Sequence, residues 1–233
     1  KTTTLRSIIR FIPAEFTLRV QESLPELNLN QAYPYRNVVE IQNTVSEDTM
    51  ENALAVNKSK DKDNRNVNII GEIGNATQTL YFIQPITTGT ALFSIGTHHT
   101  RTTRELVRSL ANNLLELEVC KTQKEAVEMV ADAVNIDCHL IEVNGNRYIE
   151  RITEIIPNKD KGAEPFAEKD ILRCDAQNVF VTGFSDEMKS KIVSKLTKAE
   201  KEEFLHDIGM CDLISQGKIS PEVNMWMEAV LSY

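Results

Sequence analysis

Short apolar runs alternate with amphipathic helical patterns along the first two thirds of this chain, and that alternation constrains the fold more than any other feature. A strand followed by a helix and then another strand pairs in parallel, with the helix crossing over a face of the sheet. Strand candidates are Phe16–Val20, Val67–Ile70, Ala91–Ile95 and Cys138–Val143, followed by Tyr148–Ile155 after the turn Asn144-Gly145-Asn146. Asn-Gly accepts the positive backbone angles of a two-residue hairpin loop. Helical patterns occupy Glu47–Asn57, Thr77–Gln84, Thr103–Glu118 and Gln123–Val134, and Leu106, Leu110, Leu114 and Leu117 form a stripe suited to covering a sheet. Thr102 with Glu105, and Thr122 with Glu125, read as capping boxes. The expectation is an α/β fold: a mostly parallel sheet with helices on both sides over residues 1–156.

Beyond Pro157 the pattern changes. A polar linker, NKDKGAEPFAEKD, leads to a short strand at Asn178–Val181 and then to helices, with Ser185 and the Thr197/Glu200 pair as caps. A last helix is expected from Ser220-Pro221, carrying Val223, Trp226, Met227 and Val230. Residues 157–233 read as a mainly helical C-terminal subdomain. The run KSKDKDNR, Lys58 to Arg65, has nothing to bury and reads as a solvated loop.

Composition excludes several classes. At 233 residues and 41% hydrophobic, the chain holds one sizeable core plus a smaller appendage. Its net charge of −8 argues against gripping nucleic acid through bulk charge. The four cysteines, Cys120, Cys138, Cys174 and Cys211, are too widely spaced to clip zinc or exchange disulfides, so free thiols in a reducing compartment are expected. No apolar run approaches the roughly eighteen residues that span a bilayer.

Three segments carry chemistry. The chain opens on Lys1-Thr2-Thr3-Thr4 and runs into Leu5, Ile8, Ile9 and Ile12 at helical spacing. Two readings stand: an ordinary helix start, or the end of a phosphate-binding loop handing over to its helix. In the second, the lysine reaches phosphates of ATP and the next hydroxyl serves magnesium. Val67-Asn68-Ile69-Ile70-Gly71-Glu72 is an apolar strand delivering a carboxylate at its C-terminal end, where open α/β sheets place ligands. Glu72 there is either a surface carboxylate or a group that polarises water or holds magnesium. Gly96-Thr97-His98-His99-Thr100-Arg101 follows a strand and precedes a capped helix; polar contact with a phosphate or a neighbouring subunit fits it better than metal binding. His139 and His206 read as structural.

The order of these elements resembles the motor domain of the type II/type IV secretion ATPases, and most the tight-adherence pilus and conjugative-transfer branch. Lys1-Thr2-Thr3 is similar to the end of that family's phosphate-binding loop, and Arg19-Val20-Gln21-Glu22-Ser23-Leu24-Pro25-Glu26-Leu27 resembles its acidic motif. Asn68-Ile69-Ile70-Gly71-Glu72-Ile73 resembles its Walker B strand, Thr87-Thr88-Gly89 the following helix end, and Gly96-Thr97-His98 its histidine box. The likeness continues through Val130–Val134 and Asn144–Arg147 to Ile155, covering roughly residues 1 to 156.

The resemblance implies a RecA-like P-loop NTPase core that binds ATP with Mg2+ between the subunits of a homo-hexamer. Carried over, Lys1 would contact the β and γ phosphates with Thr3 close by, and Thr2 would serve magnesium. Glu22 and Glu26 would position water or metal, and Glu72 would be the Walker B carboxylate, holding magnesium directly or through water. His98 would report on the phosphate, and Arg104 or Arg108 would reach across an interface. The implied partners are membrane-embedded secretion or pilus platform proteins, with no specific nucleic acid. The implied location is cytoplasmic, recruited to the inner face of the membrane.

The sequence departs from the family at four places: Ser23 for aspartate, Ala55 for arginine, Gly74 for arginine and Thr90 for histidine. The glycine-rich loop and its strand do not precede Lys1 in this sequence. The expectation is an ATPase parent, with this polypeptide weak or inactive. A degenerate member serving as a structural or regulatory interaction protein, and an unrelated α/β enzyme, remain alternatives.

Overall fold

A computed structural model of the chain describes residues 2–42, 65–158, 164–174, 179–194, 196, 201, 202 and 204. Lys1, Ala55, the helix expected at 47–57, the charged run to residue 64, the Thr197/Glu200 pair, His206 and the helix expected from Ser220 lie outside the described residues. Two compact units result: residues 1–134 with 157–166, and residues 135–156 with those from 167 onward.

The first unit is built on a parallel sheet. Its strands are β1 (Thr17–Glu22), β2 (Val38–Gln42), β3 (Asn66–Ile70) and β4 (Phe93–Gly96), in the order β2-β1-β3-β4. Helices α1 (Thr2–Ile9), α2 (Leu29–Ala32), α3 (Ala76–Thr87), α4 (Thr103–Glu116) and α5 (Gln123–Ala133) accompany it. The α/β expectation therefore holds for this unit. Strand β2 has no counterpart among the expected strands; as an edge strand it is only half-buried and lacks an apolar run.

Side chains alternate across a strand, so register assigns each face. On one face Leu18 pairs with Val67 and Val20 with Ile69, which continue to Phe93 and Ile95. These pack with Leu5 and Ile9 of α1, and with Ile12, Leu27 and Leu29, in one apolar cluster. The opposite face is polar although buried: Arg19, Gln21, Asn66 and Asn68 are each at most 5% exposed. Buried polar groups persist only with partners. Gln21 Nε2 donates to Asn68 Oδ1 at 3.3 Å, and Asn68 Nδ2 donates to Ser94 Oγ at 3.2 Å and to the carbonyl of Tyr81 at 2.8 Å. That carbonyl lies four residues before Pro85, inside α3. Proline has no N–H to return to it, so the Asn68 amide supplies the missing donor. The same pairing fixes α3 against β3, on the sheet face opposite α1.

Helix α3 is capped by Asn75, whose side chain accepts from the Gln78 amide, and begins at Ala76, one residue earlier than the sequence pattern indicated. On α4, Leu106, Leu110 and Leu114 are buried with Val107 and Ala111, and Thr102 caps the helix by accepting from the Glu105 amide. Helix α5 carries the full reciprocal capping box between Thr122 and Glu125.

The second unit corrects two expectations. Strands β5 (Ile136–Val143) and β6 (Asn146–Pro157) do not extend the first sheet. They open a separate one, β5-β6-β7-β8, with β7 at Phe166–Cys174 and β8 at Val179–Val181. A hairpin finds its partner locally, and its turn carries no information about which sheet it joins. The turn itself is as expected, with φ 52° at Asn144 and 80° at Gly145. Strand β7 occupies part of the stretch read as linker. Its charged residues Glu168, Lys169, Asp170 and Arg173 hid it, while Phe166 and Ile171 are buried and Thr153 on β6 donates to Asp170 at 2.7 Å. Helix α6 (Asp186–Val193) starts at Ser185, which caps Met188 and is held by Glu154.

Candidate functional site

Parallel strands bring their C-terminal ends to one edge, and there the first unit opens a cavity of about 480 Å3. Its size falls within the ~300–1,000 Å3 range of small-molecule sites. Glu22 closes β1, Gly71 and Glu72 follow β3, Thr97 and His99 follow β4, and the first turn of α1 adds Thr2. Segments separated by up to about a hundred residues thus meet because the strands run the same way.

Glu22 occupies room that only glycine leaves. A Cβ at position 71 would lie 2.8 Å from Glu22 Cγ. Both carboxylate oxygens accept from the Leu27 amide, at 3.2 and 3.3 Å, folding the segment 23–27 back on itself. Burial raises the Glu22 pKa above the ordinary glutamate value; the Leu27 and Glu26 amides oppose that shift, and the charges of Glu26 and Glu40 add to it. Glu26, at the far end of the segment, accepts from Thr2 Oγ1 at 3.0 Å, and Arg6 donates to its carbonyl at 2.5 Å. The acidic segment is therefore strapped to the start of α1.

The loops after β3 and β4 are laced together. Thr97 Oγ1 donates to the Gly71 carbonyl at 2.5 Å, and the Ile73 amide donates to the Thr97 carbonyl at 2.8 Å. Glu72 lies 3.1 Å from His99 Nε2, with both side chains largely exposed. A small residue is required at Gly96 as well, because a Cβ there would meet Ile73 Cδ1 at 2.6 Å.

Of the site residues expected from sequence, Thr2, Glu22, Glu26 and Glu72 line the cavity; Thr3, His98, Arg104 and Arg108 do not. Lys1 lies outside the described residues. Arg104 lies 3.7 Å from Glu164 and 5.6 Å over the Phe166 ring, and Arg108 is exposed on α4. The sequence reading named His99 only as part of the Gly96–Arg101 segment and singled out His98, and it passed over Asn75 and Gln78; His99, Asn75 and Gln78 all line the cavity. His99 was hidden because the strand period is lost in a loop. Asn75-x-x-Gln78 did carry a signal, that of a helix N-cap three residues before an amide.

The described lining thus presents three carboxylates, one imidazole, the hydroxyls of Thr2, Ser23 and Thr97, and the side-chain amides of Asn75 and Gln78. Such a set admits an anionic ligand only together with a cation. Hard oxygen donors suit magnesium, yet among the described residues no group of three histidine, cysteine, aspartate or glutamate side chains is arranged to hold a metal. A magnesium ion at these donors would therefore have to keep most of its water, with Thr2 and Glu72 among the oxygen groups of the lining. No helix among the described residues is long and apolar enough to cross a membrane.

No protein-family model and no curated protein sequence matches the chain. Solved structures do. The VirB11 ATPase from the Brucella suis type IV secretion system, in complex with sulphate, is similar with a TM-score of 0.54 at 18% identity, over 65% of this chain and 44% of that one. The ATPase DotB of Legionella pneumophila gives a TM-score of 0.44 at 17% identity, over 98% of this chain and 57% of that one. This chain spans less than half the length of the VirB11 chain. The first likeness is one of fold: an α/β unit with a parallel four-stranded sheet and flanking helices, of the kind found in a type IV secretion ATPase.

Proposed function

We propose that the chain is part of a motor ATPase of a secretion, pilus-assembly or conjugation machine, with a RecA-like P-loop core. The observation that supports it most is the cavity, where Thr2, Glu22, Glu26 and Glu72 meet from three separate motifs at the C-terminal edge of the sheet. ATP binds there with magnesium, its phosphates directed toward the first turn of α1, which begins at Thr2 and follows Lys1 in sequence. Magnesium supplies charge neutralisation of the phosphates. Glu72 orients the attacking water and takes its proton, while Glu26 holds the Thr2 hydroxyl in place. Glu22 sets the fold of the acidic segment. In this reading the first unit, with its parallel sheet, is the ATPase core and the second unit a C-terminal subdomain, and the parent machine is of the tight-adherence or conjugative kind. The motor works as a homo-hexamer on the inner face of the membrane, against membrane-embedded platform proteins.

Nucleotide binding tests this directly. With magnesium and ATP at about a hundred times Kd, binding adds about 2.7 kcal/mol to stability and raises the unfolding temperature by several degrees. Thr2→Val and Glu26→Gln should each shrink that rise. Melting indifferent to magnesium and ATP, both in this chain and in a folded version extended upstream through a glycine-rich loop, would overturn the nucleotide reading.

A further inference from the structure

We propose that Gln78 is a positioning residue that holds the two carboxylate-bearing loops of the cavity in register. It sits on the first turn of α3, where its own amide donates to Asn75 Oδ1 at 2.9 Å, so its backbone is anchored by the helix cap. From there the side chain divides. Oε1 accepts from the Gly74 amide at 2.8 Å, and Nε2 donates to Ser23 Oγ at 3.3 Å. Gly74 lies two residues after Glu72, and Ser23 directly follows Glu22 and opens the segment that ends at Glu26. One neutral amide therefore ties the loop of Glu72 to the loop of Glu22 and Glu26, while Thr2 and Arg6 hold the second loop from its other side.

The two ends of this bridge are positions where the sequence departs from the family it resembles, Ser23 in place of aspartate and Gly74 in place of arginine. Ser23 offers a short hydroxyl and Gly74 its backbone amide, and a Cβ at position 74 would stand 3.5 Å from Gln78 Oε1, an ordinary contact distance, so the bridge rests on the two hydrogen bonds rather than on space left by the glycine. An uncharged bridge adds no further charge to a lining that already carries three carboxylates. The bridge is a property of the fold; its consequence for nucleotide binding rests on the motor reading above. A group that acts on a phosphate must be held to within a fraction of an ångström, since a misplacement of about 1 Å costs on the order of a hundredfold in rate.

The test uses the 233-residue chain and two variants. Gln78→Met keeps the length of the side chain and removes both hydrogen bonds. Gln78→Glu keeps the acceptor for Gly74 and lets the Ser23 hydroxyl donate to it. Amide hydrogen exchange followed residue by residue should show the Gly74 amide exchanging about tenfold faster in Gln78→Met, with protection restored in Gln78→Glu and β3 amides unchanged in both. Unaltered exchange at Gly74 in Gln78→Met, or loss of protection throughout β3, would overturn the bridge. Magnesium–ATP titration of the same samples separates the two claims. Affinity weakened about tenfold or more in Gln78→Met supports positioning, and equal affinity despite lost protection overturns it. Absence of nucleotide binding both by the wild-type chain and by a version extended upstream through a glycine-rich loop refutes the motor reading, and the bridge is then judged by the exchange rates alone.

Discussion

The Glu22 side chain fills space that exists only because residue 71 has no Cβ, and two predictions follow from that contact. Gly71→Ala places a methyl 2.8 Å from Glu22 Cγ, so either the carboxylate leaves the Leu27 amide or the end of β3 shifts. Overpacking of this kind costs about 1–3 kcal/mol, measurable by denaturant unfolding, and it should weaken nucleotide binding as well. The second concerns pH. Burial raises the folded-state pKa of Glu22 above the ordinary 4.5, so the folded chain holds that proton more tightly than the unfolded one. The stability tied to the protonated form is complete below pH 4.5 and is lost as pH rises through the raised value. Glu22→Gln cannot lose it. Its stability relative to wild type should climb across that window and level off above it, as unfolding midpoints collected at a series of pH values will show. A difference that stays flat across the window would contradict the burial of this carboxylate.

At the scale of elements, the partnership of Asn68 with Pro85 decides how α3 sits on the sheet. Asn68→Ala removes the donor to the Tyr81 carbonyl and leaves it buried, at a cost of about 1–3 kcal/mol. Pro85→Ala returns an N–H within the helix, so the Asn68→Ala change should cost less in that background, and a double-mutant cycle by equilibrium unfolding reads the coupling. Additive effects would contradict the account. Thr122→Ala tests the capping box of α5 and should cost about 1 kcal/mol.

Elements with strong local chemistry were legible in the sequence. The helix starts at Thr102 and Thr122 announce themselves by side chains that satisfy nearby amides, and Asn144-Gly145 announces a hairpin. Strand β3 was legible too, since Val67, Ile69 and Ile70 form a compact apolar run. Strands β2 and β7 were not. Their residues are half-exposed or charged, and what holds them is the pairing itself, β2 alongside β1 and β7 beside β8, rather than an apolar run of their own. Gln78 escaped for a related reason. Its role comes from reaching Ser23, 55 residues away in sequence, a proximity that no local pattern encodes.

The whole molecule turns on the direction of its first sheet. Because β1, β3 and β4 run parallel, the acidic segment, the Glu72 loop and the His99 loop all emerge at one edge, and α1 begins there as well. The apolar face against α1 supplies the stability, with each fully buried leucine or isoleucine worth about 1.5–3 kcal/mol, while the amide-lined face fixes α3 and its cap at the mouth of the cavity. That Glu22, Glu26 and Glu72 line one cavity accords with what the family resemblance implied. Which histidine joins them was not readable, because His98 and His99 are adjacent and only the loop decides that His99 meets Glu72.

The most direct measurement is magnesium-dependent ATP hydrolysis by this chain and by a version extended upstream through a glycine-rich loop, each beside its Glu72→Gln variant. The account predicts hydrolysis by the extended form, a loss of about a hundredfold or more with Glu72→Gln, and little or none by the shorter chain. An extended form that is folded and oligomeric yet hydrolyses nothing would contradict the motor reading and leave a degenerate interaction protein in its place.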